Sequence, residues 1–234
     1  MQPKKLLLIF NLLLAVLVMV SCSDDDDSSS SKGDVLILSR KSGTETVHGI
    51  SIYAYSLRPI KSVSVVSSAE SGKTFNLTEG QGNFYYETPV AQFTAAKPVA
   101  STYLFTATME NGDKETFENR LTDQTLPLPT FEKCEYNAVN HQLEVKWPLI
   151  NGANSYAINL LEDAKIVFRS TELRGLSSGA YAVKASGGGW SPDFTPVAGK
   201  TYTVRLFAYL YEPSGEASNI QSISMSDSNI VWGN

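Results

Sequence analysis

Thr201-Tyr202-Thr203-Val204-Arg205-Leu206-Phe207-Ala208 sends Tyr202, Val204, Leu206 and Ala208 to one side of an extended chain, and Thr203, Arg205 and Phe207 to the other. Successive side chains of a strand point to opposite faces, so a period of two predicts a strand with one buried face. The same alternation marks Gln142-Leu143-Glu144-Val145-Lys146-Trp147, where Leu143, Val145 and Trp147 share a face, and returns after a turn at 148–154 with Tyr156, Ile158 and Leu160. Long amphipathic helices, which would repeat every three to four residues, are absent. The class that follows is all-β.

Working toward the N-terminus, short alternating runs broken by Gly, Asn, Asp, Ser and Pro predict strands at 34–40, 49–55, 61–67, 74–78, 83–88, 101–109 and 114–121. Ile50, Ile52 and Ala54 form one core stripe, and Tyr103, Phe105, Ala107 and Met109 another. Asn111-Gly112 is a hairpin signal, read as a tight turn with positive φ at both positions. Seven short strands predict a β-sandwich resembling the immunoglobulin fold over 34–121. Leu126-Pro127-Leu128-Pro129 cannot pair as a central strand, which places a linker at 122–127 and a second domain at 128–234.

That second domain resembles the fibronectin type III family. Trp147 matches the family's core tryptophan, and Tyr156 with Ile158 its third strand. Tyr202, entered through Val197-Ala198-Gly199-Lys200, matches the tyrosine corner, whose hydroxyl pins the backbone a few residues upstream. Glu216-Ala217-Ser218-Asn219 resembles the lead-in to the last strand. Between 161 and 190 the chain is longer and richer in glycine than the family pattern. The resemblance implies a spacer or protein-binding role and little chemistry. Together the expectation is two immunoglobulin-like β-sandwich domains in tandem.

The N-terminal segment carries an address. Lys4 and Lys5 precede an apolar run at 6–20, and Met19-Val20-Ser21-Cys22 resembles the lipobox of bacterial lipoproteins. The resemblance implies a signal peptide at 1–21, lipidation of Cys22 and outer-membrane anchoring. Residues 22–33 carry Ser23-Asp24-Asp25-Asp26-Asp27 and four serines, a polar tether too poor in apolar residues to pack. An acidic run after the cysteine also resembles the signal by which Bacteroidota-type lipoproteins reach the outside of the cell.

Composition excludes several functions. Removing Lys4 and Lys5 leaves 17 of 19 basic residues against 24 acidic ones, a net charge of −7 that argues against nucleic acid as a partner. With Cys22 committed to lipid, Cys134 stands alone and is read as a small buried apolar residue. His48 and His141, the two histidines, sit in no metal-binding or catalytic spacing and are read as surface or strand-end residues. Gly187-Gly188-Gly189 lacks the lysine and helix start of a phosphate loop, and Glu110 with Asp113 reads as a solvated hairpin tip rather than a glycosidase pair. The expectation is a protein that is not an enzyme and carries no cofactor or metal.

Aromatic residues are the remaining functional signal. Trp190 follows the triple glycine, where a ring could stand on a loop tip or plug the end of the sandwich. Phe207, Tyr209 and Tyr211 occupy the face opposite the Tyr202 stripe, where they could bind sugar faces or pack against another part of the protein. Trp232 is read as capping the last strand. The function expected is a non-catalytic binding or adhesion module at the cell surface, with a glycan as ligand. The alternative is a structural spacer or assembly subunit with a protein partner.

Overall fold

The computed structural model describes residues 30–70, 72–80, 82–213 and 219–233. The expectations for the signal peptide, Cys22, most of the tether and Glu216-Ala217-Ser218 lie outside these residues. The described chain is all-β. In order it forms β1 (Ser31–Ser42), β2 (Glu45–Ser56), β3 (Ile60–Ser67), β4 (Thr74–Asn76), β5 (Thr78–Glu79), β6 (Phe84–Glu87), β7 (Ser101–Met109) and β8 (Lys114–Leu121), then β9 (Lys133–Asn137), β10 (Gln142–Trp147), β11 (Ser155–Glu162), β12 (Lys165–Arg169), β13 (Leu173–Arg174), β14 (Gly179–Lys184), β15 (Thr201–Tyr211) and β16 (Ile220–Val231).

Two cores form where alternating stripes face one another. In the first half, sheet β4-β3-β7-β8 packs on β1 and β2 through Val35, Ile37, Ile50 and Ile52 against Val63, Val65, Phe105 and Met109. In the second half, sheet β14-β10-β9 packs Leu143, Val145 and Trp147 against Ile158, Leu160, Val204 and Leu206. Each half is a β-sandwich. The expected strand at 74–78 is split into β4 and β5, which pair in different sheets. The glycine-rich stretch after residue 161 supplies β12, β13 and β14.

The Asn111-Gly112 turn differs from the expected form. Only Gly112 has positive φ, at 92°. Gly112 N–H donates to Met109 O at 3.0 Å and Met109 N–H to Asp113 O at 2.8 Å, so an ordinary turn is followed by a left-handed glycine. Asn111 keeps a normal backbone because its side-chain oxygen accepts the Asp113 N–H at 3.1 Å.

Alternation could not show that the two sandwiches share one sheet. Strands β12-β11-β15-β16-β1-β2-β6-β5 run as a continuous order, with β13 beside β11, and β1 joins β16 in parallel over Ile37↔Ser222, Leu38↔Ile223 and Ser39↔Ser224. Small polar side chains line this seam. Gln221, 1% exposed, donates to Thr122 O at 3.1 Å and Gln124 O at 3.3 Å, and accepts the Thr122 N–H at 3.4 Å. Ser224 donates to Leu126 O at 2.8 Å. The proline-containing segment is thus pinned along β16 at intervals, its backbone groups satisfied by side chains where no strand could serve them.

Candidate functional site

Strand β15 places the site residues. Its inward stripe, Tyr202 to Ala208, fills the second core, so Arg205, Phe207, Tyr209 and Tyr211 take the other side of the large sheet. Phe207 and Tyr209 stack with ring centroids 6.1 Å apart and planes tilted 27°. Both are half-buried, and neither belongs to either core cluster.

Register extends the patch beyond the residues singled out from sequence. Phe207 pairs with Met225 and Ala157, and Tyr209 with Ile223 and Ser155; Ile223 pairs with Leu38, and Leu38 with Gly49. Paired residues share a face. On β2 the same face carries Tyr53 and Tyr55, and Tyr85 of β6 stands opposite Tyr53. Tyr55 and Tyr85 are 44% and 47% exposed. The signal was present in Ile50-Ser51-Ile52-Tyr53-Ala54-Tyr55, whose second stripe is aromatic, but its union with Tyr209 needs the parallel seam. Over the middle of the face, Leu36 and Leu38 are only 4% exposed. Part of the cover is Phe93, whose ring occupies the space a Cβ on Gly49 would need, at 2.9 Å.

A hydrogen bond to Asp227, then the charges of Asp227 and of Glu87 on β6, raise the pKa of Arg205 against the opposing effect of burial.

Polar groups collect at both ends of the row. At one end, Tyr211 Oη lies 2.8 Å from Ser155 Oγ, which donates to Glu172, and Arg174 binds Glu172 at 2.6 Å while sitting 5.5 Å above the Tyr211 ring. Burial opposes ionisation of Glu172, but hydrogen bonds from Arg174 and Ser155 outweigh it and lower its pKa. Burial and the charge of Glu172 push the Tyr209 phenol up to about 12, so it is neutral at physiological pH. At the other end, Arg205 grips Asp227 at 2.7 and 2.8 Å. Apolar ring faces flanked by charge-paired hydrogen-bonding groups can stack on a polyol and orient it.

Trp190 is not on a loop tip. Its ring stacks on Phe194 at 5.5 Å and meets Phe168 and Trp232 edge-on at 5.1 and 5.6 Å, and its indole N–H donates to Lys184 O at 2.9 Å. Gly189 of the triple glycine serves this closure, since a Cβ there would strike Arg169 O and the Phe168 ring. Arg169 N–H reaches Gly189 O and Ser191 N–H reaches Val167 O, each at 2.8 Å, covering the edge of β12. Trp232 is itself buried in this aromatic cluster.

His48 is buried in mid-strand rather than at a surface or strand end. Its Nδ1 lies 2.9 Å from Ser39 Oγ, and burial, then Lys97, lower its pKa. His141 is exposed in a turn with φ 50°. Cys134 is half-buried, and burial raises its thiol pKa. Asp113 pairs with Arg58 at 2.8 Å on the exposed hairpin tip. Among the described residues, no group of three His, Cys, Asp or Glu could hold a metal.

No protein family matches the sequence, and no curated protein is similar to it at a significant level. Among solved structures it is similar to a segment of two fibronectin type III domains from chicken tenascin, with 12% identity, 77% of this chain and 91% of that one covered, and a TM-score of 0.28. A cytokine receptor complex is similar at 10% identity over 86% of this chain and 97% of that one, TM-score 0.30. The BSP domain of a biofilm-associated protein is similar at 10% identity over 93% and 54%, TM-score 0.26.

Proposed function

We propose that this chain is a non-catalytic binding module, anchored through a lipid on Cys22 to the outer face of the outer membrane, whose aromatic sheet face takes glycans. The observation that carries the reading is the stacked Phe207–Tyr209 pair, outside both cores, with Tyr53, Tyr55 and Tyr85 on the same face of the sheet. Sugar rings present flat C–H faces that bury well on aromatic rings at small entropic cost, while Glu172, Arg174 and Asn154 at the end of the row offer partners for hydroxyls. Affinity electrophoresis against a polysaccharide panel tests it. Retardation by one glycan class, lost in Tyr209→Ala and Phe207→Ala variants that melt like wild type, supports the reading; mobility unaffected by every polysaccharide overturns it. The mass of the N-terminal peptide from membranes tests the anchor, which requires a diacylglyceryl group on Cys22.

A second reading, a rigid spacer in a surface assembly, is favoured by the pinned seam: Gln221 and Ser224 fix the inter-sandwich segment and β1 bonds directly to β16. Crosslinking on intact cells that captures one protein partner, together with an empty glycan panel, would select it.

A further inference from the structure

Strands β1 and β16 run side by side only from Ile37 to Ser39, and beyond Ser224 they part. The fork opens a cleft of about 680 Å³, within the range of pockets that hold a small ligand. One wall is apolar, from Pro127, Pro129, Phe131 and Met225; hydroxyls of Thr44, Thr46, Thr130, Ser226 and Ser228 line the rest. Arg40 and Lys41, successive residues on opposite faces of β1, both border the cleft. Among the described residues neither joins an ion pair or a side-chain hydrogen bond, in a protein whose other cations are often paired, as Arg58, Lys133, Lys200 and Arg205 are. The acidic residue of the cleft, Asp227, has both oxygens held by Arg205.

We propose that this fork is a second binding site, for an acidic oligosaccharide bearing carboxylate or sulfate groups. The hydroxyl lining suits a polyol, the prolines and Phe131 suit its C–H faces, and two uncommitted cations suit its charge. This site rests on the reading of the chain as a glycan binder.

The test uses the full-length protein in detergent, with polygalacturonate and chondroitin sulfate as carboxylate and sulfate probes, a neutral glucan and mannan as uncharged ones, and polyglutamate as an anion without sugar. The expected result is binding of an acidic polysaccharide that weakens at high salt and falls at least about tenfold in Arg40→Gln/Lys41→Gln, but persists in Tyr209→Ala. Lys41→Glu, at an exposed position, should lower it further without altering the melting temperature. Acidic polysaccharide binding that ignores these cationic substitutions, equal binding of polyglutamate, or binding of neutral glycans alone overturns the fork site. If that neutral binding is lost in Tyr209→Ala, the aromatic face still stands; binding to no polysaccharide overturns both.

Discussion

The carboxylate of Asp34 accepts the backbone N–H of Ile220 at 3.2 Å, joining the first strand of one sandwich to the last strand of the other across 186 residues. The same carboxylate accepts the Tyr53 hydroxyl at 3.0 Å and the Val35 N–H at 2.8 Å, and is 3% exposed. It closes the end of the parallel seam.

Replacing it should therefore loosen the junction. Asp34→Ala strands three donors, and we expect a loss of about 3 kcal/mol in urea unfolding, with faster hydrogen exchange at Ile220 than in the cores.

Asp34 also gives stability a pH dependence of defined sign. Burial raises its pKa, against opposing hydrogen bonds led by Ile220. A carboxyl with a raised folded pKa holds its proton more tightly in the folded state. Its contribution is greatest below the unfolded value of about 3.9 and is lost as pH rises through the folded value. Glu212, raised by burial and by the Asp34 charge, acts in the same direction. The difference in unfolding free energy between wild type and Asp34→Asn should thus shrink or reverse as pH rises from 4 toward neutrality, measured by denaturant titration.

Glycine substitutions test the packing of the second core. A Cβ on Gly179 would strike Trp147 O and lie 2.8 Å from the indole ring, so Gly179→Ala should cost about 3 kcal/mol. Gly188 faces open space, and Gly188→Ala should change stability by about 0.5 kcal/mol or less in the same thermal melts.

The tyrosine corner predicted at Tyr202 is formed: its hydroxyl accepts the Val197 N–H at 3.0 Å. Tyr156 repeats the device, accepting the Ile150 N–H at 2.6 Å. Each Tyr→Phe change leaves the ring in place and orphans one donor, with an expected cost of about 1–2 kcal/mol by chemical denaturation.

These contrasts show what sequence could and could not disclose. Period-two stripes marked the strands and both cores because burial on one face is a local property of the chain. The parallel seam is not local: it depends on Gln221, Ser222 and Ser224 being small or polar enough to meet β1 and the proline segment, and serines in alternation look like a solvated face. Trp190 was ambiguous for a similar reason, since a triple glycine serves either a mobile tip or a close approach, and only the nearness of Phe168 and Arg169 decides between them. The Phe207–Tyr209 row was legible as an outward stripe; that Tyr53 and Tyr85 share its face followed only once strand order was known.

The central claim is that glycans bind on the aromatic sheet face, and the most direct measurement is an aromatic NMR titration of the protein with oligosaccharides cut from whichever polysaccharide retards it. The account predicts that ring signals of Phe207 and Tyr209 shift with saturation while the Trp190 indole N–H, bonded to Lys184 O, stays in place. Shifts at Trp190 without change at Phe207 and Tyr209, or no shift with any oligosaccharide, would contradict it.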